Sequence, residues 1–224
     1  MSAVHGPSLR LRAASPEDAL GAADLIYETM GTFGDYLFGQ PGREESIRVV
    51  AALFRRPGHL LSFEHSTLAE ADGGIVGIAQ AFPGAELWKA ALGLMRACIR
   101  CFGLRFALGL AWRGLPLASE PVAGADEYYV QTLAVSPSFR NRGIGRALLQ
   151  NAQRQTAERG FPVCSLDVML NNPDALRFYQ REGFTIARKV ESRLRAPGVQ
   201  YAGFYRMRKR GYSDSSGEGA RTPR

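Results

Sequence analysis

The sequence predicts one mixed α/β domain, an α+β arrangement of about seven strands with flanking helices. Three observations lead there. Alternating or β-branched runs recur at seven places along the chain, amphipathic helical patterns lie between them, and the run at 127–135 passes through a Gly- and Arg-rich turn directly into a helix. The 224 residues, 46% hydrophobic and 22% charged, suffice for one domain with a sizeable core, and no stretch repeats another.

Ser8 to Ala14 alternates polar and apolar residues and reads as the first strand. Ser15, Pro16, Glu17 and Asp18 then start a helix, with a capping hydroxyl, a proline at the first position and acids in the first turn. That helix is expected to end near Thr29, and the Gly- and aromatic-rich run Met30 to Pro41 reads as a loop. A second helix spans about Glu44 to Phe54 and stops before Arg56-Pro57-Gly58. Leu60 to Ala69 and Gly74 to Phe82 read as a hairpin turning at Ala71 to Gly74.

The stretch 86–117 is rich in Leu, Ala and Trp and carries Lys89, Arg96, Arg100, Arg105 and Arg113. Lys89, Arg96 and Arg100 fall on one helical face, which predicts an amphipathic helix whose charges are too frequent for a transmembrane span. It is expected to serve as a helical cover or a subunit contact, as in a homodimer, with peripheral membrane contact as the alternative. Strands follow at Glu127–Val135, Val163–Val168, Phe184–Glu191 and Tyr201–Arg208, with helices at Gly143–Arg159 and Pro173–Glu182. The Ser- and Gly-rich residues 211–224 are expected to form a disordered tail.

The turn after the fourth strand carries the chemistry. Gly143 and Gly145 let backbone approach a ligand without a Cβ in the way. The first N–H groups of the helix that starts there have no intrahelical acceptor, and the macrodipole adds partial positive charge. The result is an anion site, with Arg140, Arg142 and Arg146 around it. No Gly-Lys-Ser/Thr follows, so this is not a Walker loop, and the Rossmann spacing with its later acidic residue is missing.

The spacing Arg140-x-x-Gly143-x-Gly145 behind Leu133-Ala134-Val135 resembles the coenzyme-A signature of the GNAT superfamily of N-acetyltransferases. Asn172, Ala175, Tyr179, Gly183 and Phe184 resemble that superfamily's later motif, in the same order along the chain. The likeness runs over residues 8–210, is sharp over 128–184, and makes 86–117 an insertion between the third and fourth strands. It implies a twisted mixed sheet whose fourth and fifth strands splay apart around acetyl-CoA, the co-substrate. The pantetheine arm would pair with Leu133, Ala134 and Val135, and the N–H groups from Arg142 through Ile144 to Arg146 would hold the pyrophosphate. The implied reaction is direct attack of a primary amine on the thioester, with a backbone N–H near Leu133 at the oxyanion. Tyr179 would protonate the departing sulfur, and Asn172 would bond the pantetheine arm or cap its helix. Many members carry a glutamate close to the place of Gln131, which cannot accept a proton. Glu127, acting through a water, is the candidate base here, ahead of Asp126 and Tyr129.

The acceptor carries no motif. Tyr36, Phe38, Trp88 and Trp112 are candidates to line an apolar pocket or to pack in the core, and the acceptor amine belongs to a small molecule or a protein. A net charge of +7 is met by a polyanionic co-substrate and solvated surface; dispersed arginines without interleaved aromatics argue against nucleic acid. Cys98-x-x-Cys101 lacks a second ligand pair, so no metal is expected. Three unframed cysteines and an amino terminus without an apolar run lead to the expectation of a cytoplasmic protein without a signal peptide. A CoA-binding sensor with weak or no catalysis is the competing reading.

Overall fold

A computed structural model describes residues 9–118 and 123–211; Ser8 and the expected tail at 212–224 lie outside the described residues. Seven strands form one sheet in the order β1-β2-β3-β4-β5-β7-β6: β1 Arg10–Ala13, β2 Ser66–Ala71, β3 Gly74–Pro83, β4 Glu127–Val135, β5 Val163–Met169, β6 Thr185–Glu191 and β7 Gly203–Arg210. All neighbours are antiparallel except β4 and β5, the one parallel pair in the sheet. The helices are α1 Ala19–Phe38, α2 Arg43–Phe54, α3 Leu87–Phe102, α4 Leu104–Gly114, α5 Ile144–Glu158 and α6 Pro173–Arg181. One face of the sheet buries Leu68, Ile78 and Ala134 under α1 and α2; the other buries Val76, Ala79, Tyr128 and Val130 under α5.

Local chemistry fixes the ends of these elements. The Arg12 guanidinium on β1 bonds Asp18 and Glu70, and it holds the Asp18 carboxyl down at about 2. Asp18 also accepts from the Ser15 backbone at 2.7 Å, closing the cap expected there. The β2–β3 turn places Asp72 at φ 52° and Gly73 at φ 77°, the left-handed pair that a tight hairpin requires.

Three expectations are corrected. The run 30–41 is not a loop: Gly31, at φ 50° and ψ −138°, kinks the chain, and α1 resumes to Phe38. It resumes because Asp35 accepts from Tyr27 (3.0 Å) and from Ser46 on α2 (2.5 Å), while Phe38 enters the core. Gly39, left-handed, then ends the helix. Likewise Leu60 to His65 is not strand. Both ring nitrogens of buried His59 serve this turn, Nε2 donating to the Leu53 carbonyl (3.0 Å) and Nδ1 accepting from the Leu61 N–H (3.1 Å). Ser62 accepts from Glu64 N–H to close a short 3-10 turn, so pairing starts at Ser66.

The third correction concerns 86–117, which is two helices, broken at Gly103 where φ is 84°. They cover α1 and α2 with Ala97, Cys98, Ala107 and Leu110. Cys98 is a core residue whose burial pushes its thiol up to about 11, which makes it inert as a thiolate at neutral pH.

The cover is seated by close backbone approach. A Cβ on Gly93 of α3 would lie 2.0 Å from the Gly58 carbonyl oxygen. Gly93→Ala therefore has to lift α3 from the turn at His59. We expect it to lower unfolding free energy by about 1–3 kcal/mol, the usual cost of overpacking, as read from urea denaturation midpoints. An unchanged midpoint would show that the contact is slack.

Candidate active site

The cleft begins where β4 and β5 part company. Their parallel pairing runs only from Glu127↔Val163 to Val130↔Leu166, although β4 continues to Val135 and β5 to Met169. At the same point β4 carries an extra residue against β3: Ala81 pairs with Val130 and Gln80 with Thr132, leaving Gln131 as a bulge. The bulge inverts the alternation. Tyr128 and Val130 face α5 before it, and Leu133 and Val135 face α5 after it, with Ala134 turned to the α1 side. Between Gln131 and Val135 the edge of β4 toward β5 is therefore open, and it lines a cleft of about 1490 Å³. Gln131 itself is anchored through its amide to the Leu60 carbonyl at 3.0 Å.

The Gly turn closes one end of this cleft. Asn141 (φ 61°) and Gly143 (φ 80°) are left-handed, and the Ala147 N–H is the first of the following turn to reach back, to the Gly143 carbonyl. The N–H groups of Ile144, Gly145 and Arg146 are thus left at the helix start. A Cβ on Gly143 would meet no protein atom within 4 Å, and one on Gly145 would come no nearer than 3.7 Å, to Val135. The space before both glycines is open to a ligand.

Two of the three arginines line the cleft, each tethered. Arg140 donates to the Val135 carbonyl (3.1 Å) and lies 3.5 Å from Glu28; Arg146 pairs with Glu182 at 2.8 Å. Arg142 is not in the lining. Its guanidinium sits over the Phe139 ring at 5.0 Å.

On the opposite wall, α6 delivers Tyr179. Asn172 caps this helix, its Oδ1 accepting from the Ala175 N–H at 3.1 Å, and it also lines the cleft. Tyr179 packs edge-on to Phe184 and against Phe178. Its hydroxyl has no hydrogen-bond partner among the described residues, and burial pushes its pKa well up, so it holds its proton at neutral pH.

Glu127 lies elsewhere. It starts β4, at the end where β4 and β5 are still paired, with its carboxylate buried against Arg208 and outside the cleft lining. Asp126 is exposed and outside the lining as well. Among the carboxylates in the cleft lining, Glu28, Glu182 and Asp174 pair with Arg140, Arg146 and Arg177, and the fourth, Asp167, is one that sequence reading did not single out. Asp167 on β5 pairs directly with Arg206 on β7, and accepts from its Nε, from its Nη2 at 2.9 Å and from the Tyr129 hydroxyl at 3.0 Å. Burial pushes the Asp167 pKa up despite the Arg206 guanidinium beside it. Alternation put Asp167 on the face opposite Leu166 and Val168; only the β5–β7 register could reveal Arg206 as its neighbour.

The remaining wall is apolar: Phe33 stacked on Tyr201 (4.5 Å), with Leu87, Leu94 and Leu110 from α3 and α4. Phe38 contributes, but Tyr36 does not. Trp88 and Trp112 neither line the cleft nor pack in the core; they are 75% and 76% exposed.

Comparison with known proteins bears on the family and the fold. A family model described as the acetyltransferase (GNAT) family matches residues 38–184. An acetyltransferase of Agrobacterium fabrum is 46% identical over 57 residues, 25% of this chain and 40% of that protein. A ribosomal-protein alanine N-acetyltransferase of Escherichia coli is 34% identical over 62 residues, 28% of this chain and 42% of that protein. The chain therefore spans about two fifths of the length of these relatives. Among solved structures, an N-acetyltransferase from Staphylococcus aureus superposes with a TM-score of 0.69 at 20% identity, covering 89% of this chain and all of that one. The crystal structure of another acetyltransferase gives 0.67 at 22% identity over 91% of this chain. Likeness at that level shows the fold.

The open space at Gly143 can be closed by substitution. Gly143→Val places a β-branched residue at a left-handed φ, a strain of about 1–3 kcal/mol, and projects methyl groups into the cradle. We expect about a tenfold or greater loss of coenzyme-A affinity by titration calorimetry. Unchanged affinity would remove the pyrophosphate from this turn.

Proposed function

Because the chain belongs to the acetyltransferase (GNAT) family, we propose that it transfers the acetyl group of acetyl-CoA to a primary amine by direct attack in the β4–β5 cleft. The observation that carries this reading is the meeting, in one cleft, of an open strand edge, a glycine turn at a helix start and a tyrosine whose hydroxyl has no hydrogen-bond partner among the described residues. Each suits a different part of one long molecule. The N–H groups from Ile144 to Arg146 and the Arg140 and Arg146 side chains suit the pyrophosphate. The edge from Gln131 to Val135 suits the amide-bearing pantetheine arm, which can add to it as a peptide adds to a sheet. Acetyl-CoA supplies an acyl group already activated as a thioester.

The chain's own residues supply protons and position. The new N–C bond forms at the thioester carbon as the C–S bond breaks, and the Tyr179 hydroxyl donates its proton to the departing sulfur. A backbone N–H near Leu133 faces the oxyanion as a preorganised donor. Asp167 takes the proton that leaves the amine, directly or through a water; it lines the cleft with a raised pKa, while Glu28, Glu182 and Asp174 are held by Arg140, Arg146 and Arg177 and Glu127 stands outside the lining. Arg206 fixes the Asp167 carboxylate, and Tyr129 occupies one of its lone pairs.

Thiol release from acetyl-CoA across a panel of small amines and peptide amino termini tests the reading. With an accepted amine, Tyr179→Phe is expected to lower kcat about a hundredfold, the usual weight of a general acid, with KM for acetyl-CoA little changed. Tight coenzyme-A binding without turnover on any acceptor would make the chain a sensor instead.

The base assignment has its own signature. Asp167 must be ionised to accept a proton, and burial raises its pKa, so activity should fall as pH drops through a point above the ordinary aspartate value. Asp167→Asn should lower kcat/KM and abolish that acid limb. A surviving limb would assign the base to another group.

A further inference from the structure

The outer face of α3 and α4 takes no part in the cleft chemistry, and we propose that it docks on an anionic membrane surface. Side chains on these helices fall into core-facing, exposed apolar and exposed basic positions. On α3, Ala90, Ala97 and Cys98 face the core, while Trp88, Leu92 and Ile99 form an exposed stripe. Lys89, Arg96 and Arg100 form a second exposed row beside that stripe, about a quarter turn around the helix. On α4, Ala107 and Leu110 face the core, and Leu104, Leu108 and Trp112 are exposed at helical spacing with Arg105 alongside, continued by exposed Leu115 in the turn that follows.

An amphipathic helix spends its apolar face on a core, yet these carry a further apolar stripe in the open. Exposed leucines flanked by basic side chains, with a tryptophan on each helix, are what a helix lying in a lipid interface presents. The apolar tips enter the acyl boundary, the indoles sit at headgroup level and the long basic stems reach the phosphates. No described helix is long and apolar enough to cross a membrane, so the mode is lying on the surface.

Charge selects the occupant. From residue 87 to 117 there is no acidic residue and there are five basic ones, leaving only +2 of the chain's +7 for all the rest. Arg113 is turned inward to the Leu37 carbonyl at 2.8 Å. The other four face out, and none makes an ion pair among the described residues. A second copy meeting this face about a two-fold axis would set those like charges against each other. An anionic headgroup layer neutralises them.

The two tryptophans of the chain are both on this face, so intrinsic fluorescence reads docking without a label. The intact protein is titrated with phosphatidylcholine vesicles and with phosphatidylcholine–phosphatidylglycerol vesicles, and co-sedimentation is followed in parallel. The expected result is a blue shift and co-sedimentation with the anionic vesicles only, weakened by added salt. Replacing Lys89, Arg96, Arg100 and Arg105 together with Gln should weaken binding about a hundredfold or more, since each basic side chain at such a surface is worth about fivefold. A Trp88→Ser, Trp112→Ser variant should lose vesicle binding while keeping the thermal midpoint and coenzyme-A affinity of the parent, which separates docking from misfolding. Equal binding to neutral vesicles, no shift with either, or retained binding by the Gln variant would overturn the proposal. So would a blue shift that grows with protein concentration without lipid and tracks a dimer in sedimentation, which would assign the face to a second copy.

Discussion

One extra residue in β4 governs the cleft. A strand with unbroken alternation would keep Tyr128, Val130, Thr132 and Ala134 on one face and hold its register with both neighbours to the end. The bulge at Gln131 shifts the phase, so that Leu133 and Val135 replace the even-numbered residues under α5. It also adds local twist, and beyond it the parallel pairing to β5 stops. An open backbone edge inside a domain is costly unless something satisfies it. Here the edge borders a cleft large enough for a ligand, and the bulged side chain is tied down by the Leu60 carbonyl.

The electrostatics of the cleft follow from how its charges are held. Arg140 and Arg146 are positioned by Glu28 and Glu182 and by a backbone carbonyl, and so are oriented before any anion arrives. Their partial neutralisation keeps the free site from being strongly self-repulsive, while the amide dipoles at the start of α5 add a fixed positive end. Across the cleft, at Asp167, the charges are internally paired. Asp167 and Arg206 form a buried pair, with Tyr129 and Phe204 rings against the guanidinium. Such a pair is better understood as a rigid polar wall than as a source of stability, because desolvation consumes much of its attraction.

Sequence reading reached the cleft wherever its lining comes from contiguous residues. The turn from Arg140 to Arg146 and the run from Asn172 to Phe184 each pack their chemistry into a few consecutive positions, and both were placed in the right elements. β4, α5, β5 and α6 came within a residue or two, because alternation and caps mark them. What escaped depends on contacts between distant segments. Asp167 meets Arg206 only through strand register, and Glu127 looked available until its partner Arg208 was in place. The 30–41 segment offered glycines and aromatics, which suggest a loop, yet burial of Phe38 and the Asp35–Ser46 bond restored the helix. Trp88 and Trp112 were misjudged for a related reason: a large aromatic is expected inside, and nothing local says which helical row faces the core.

The wall that α3 and α4 give the cleft is one helix thick. Leu87, Leu94 and Leu110 touch its interior, and Trp88, Leu92 and Trp112 face outward from the adjoining positions. A substitution there is read from both sides at once, as a change in the cavity and as a change in the molecule's exterior. The same short stretch of chain borders the cleft on one side and carries the proposed docking face on the other.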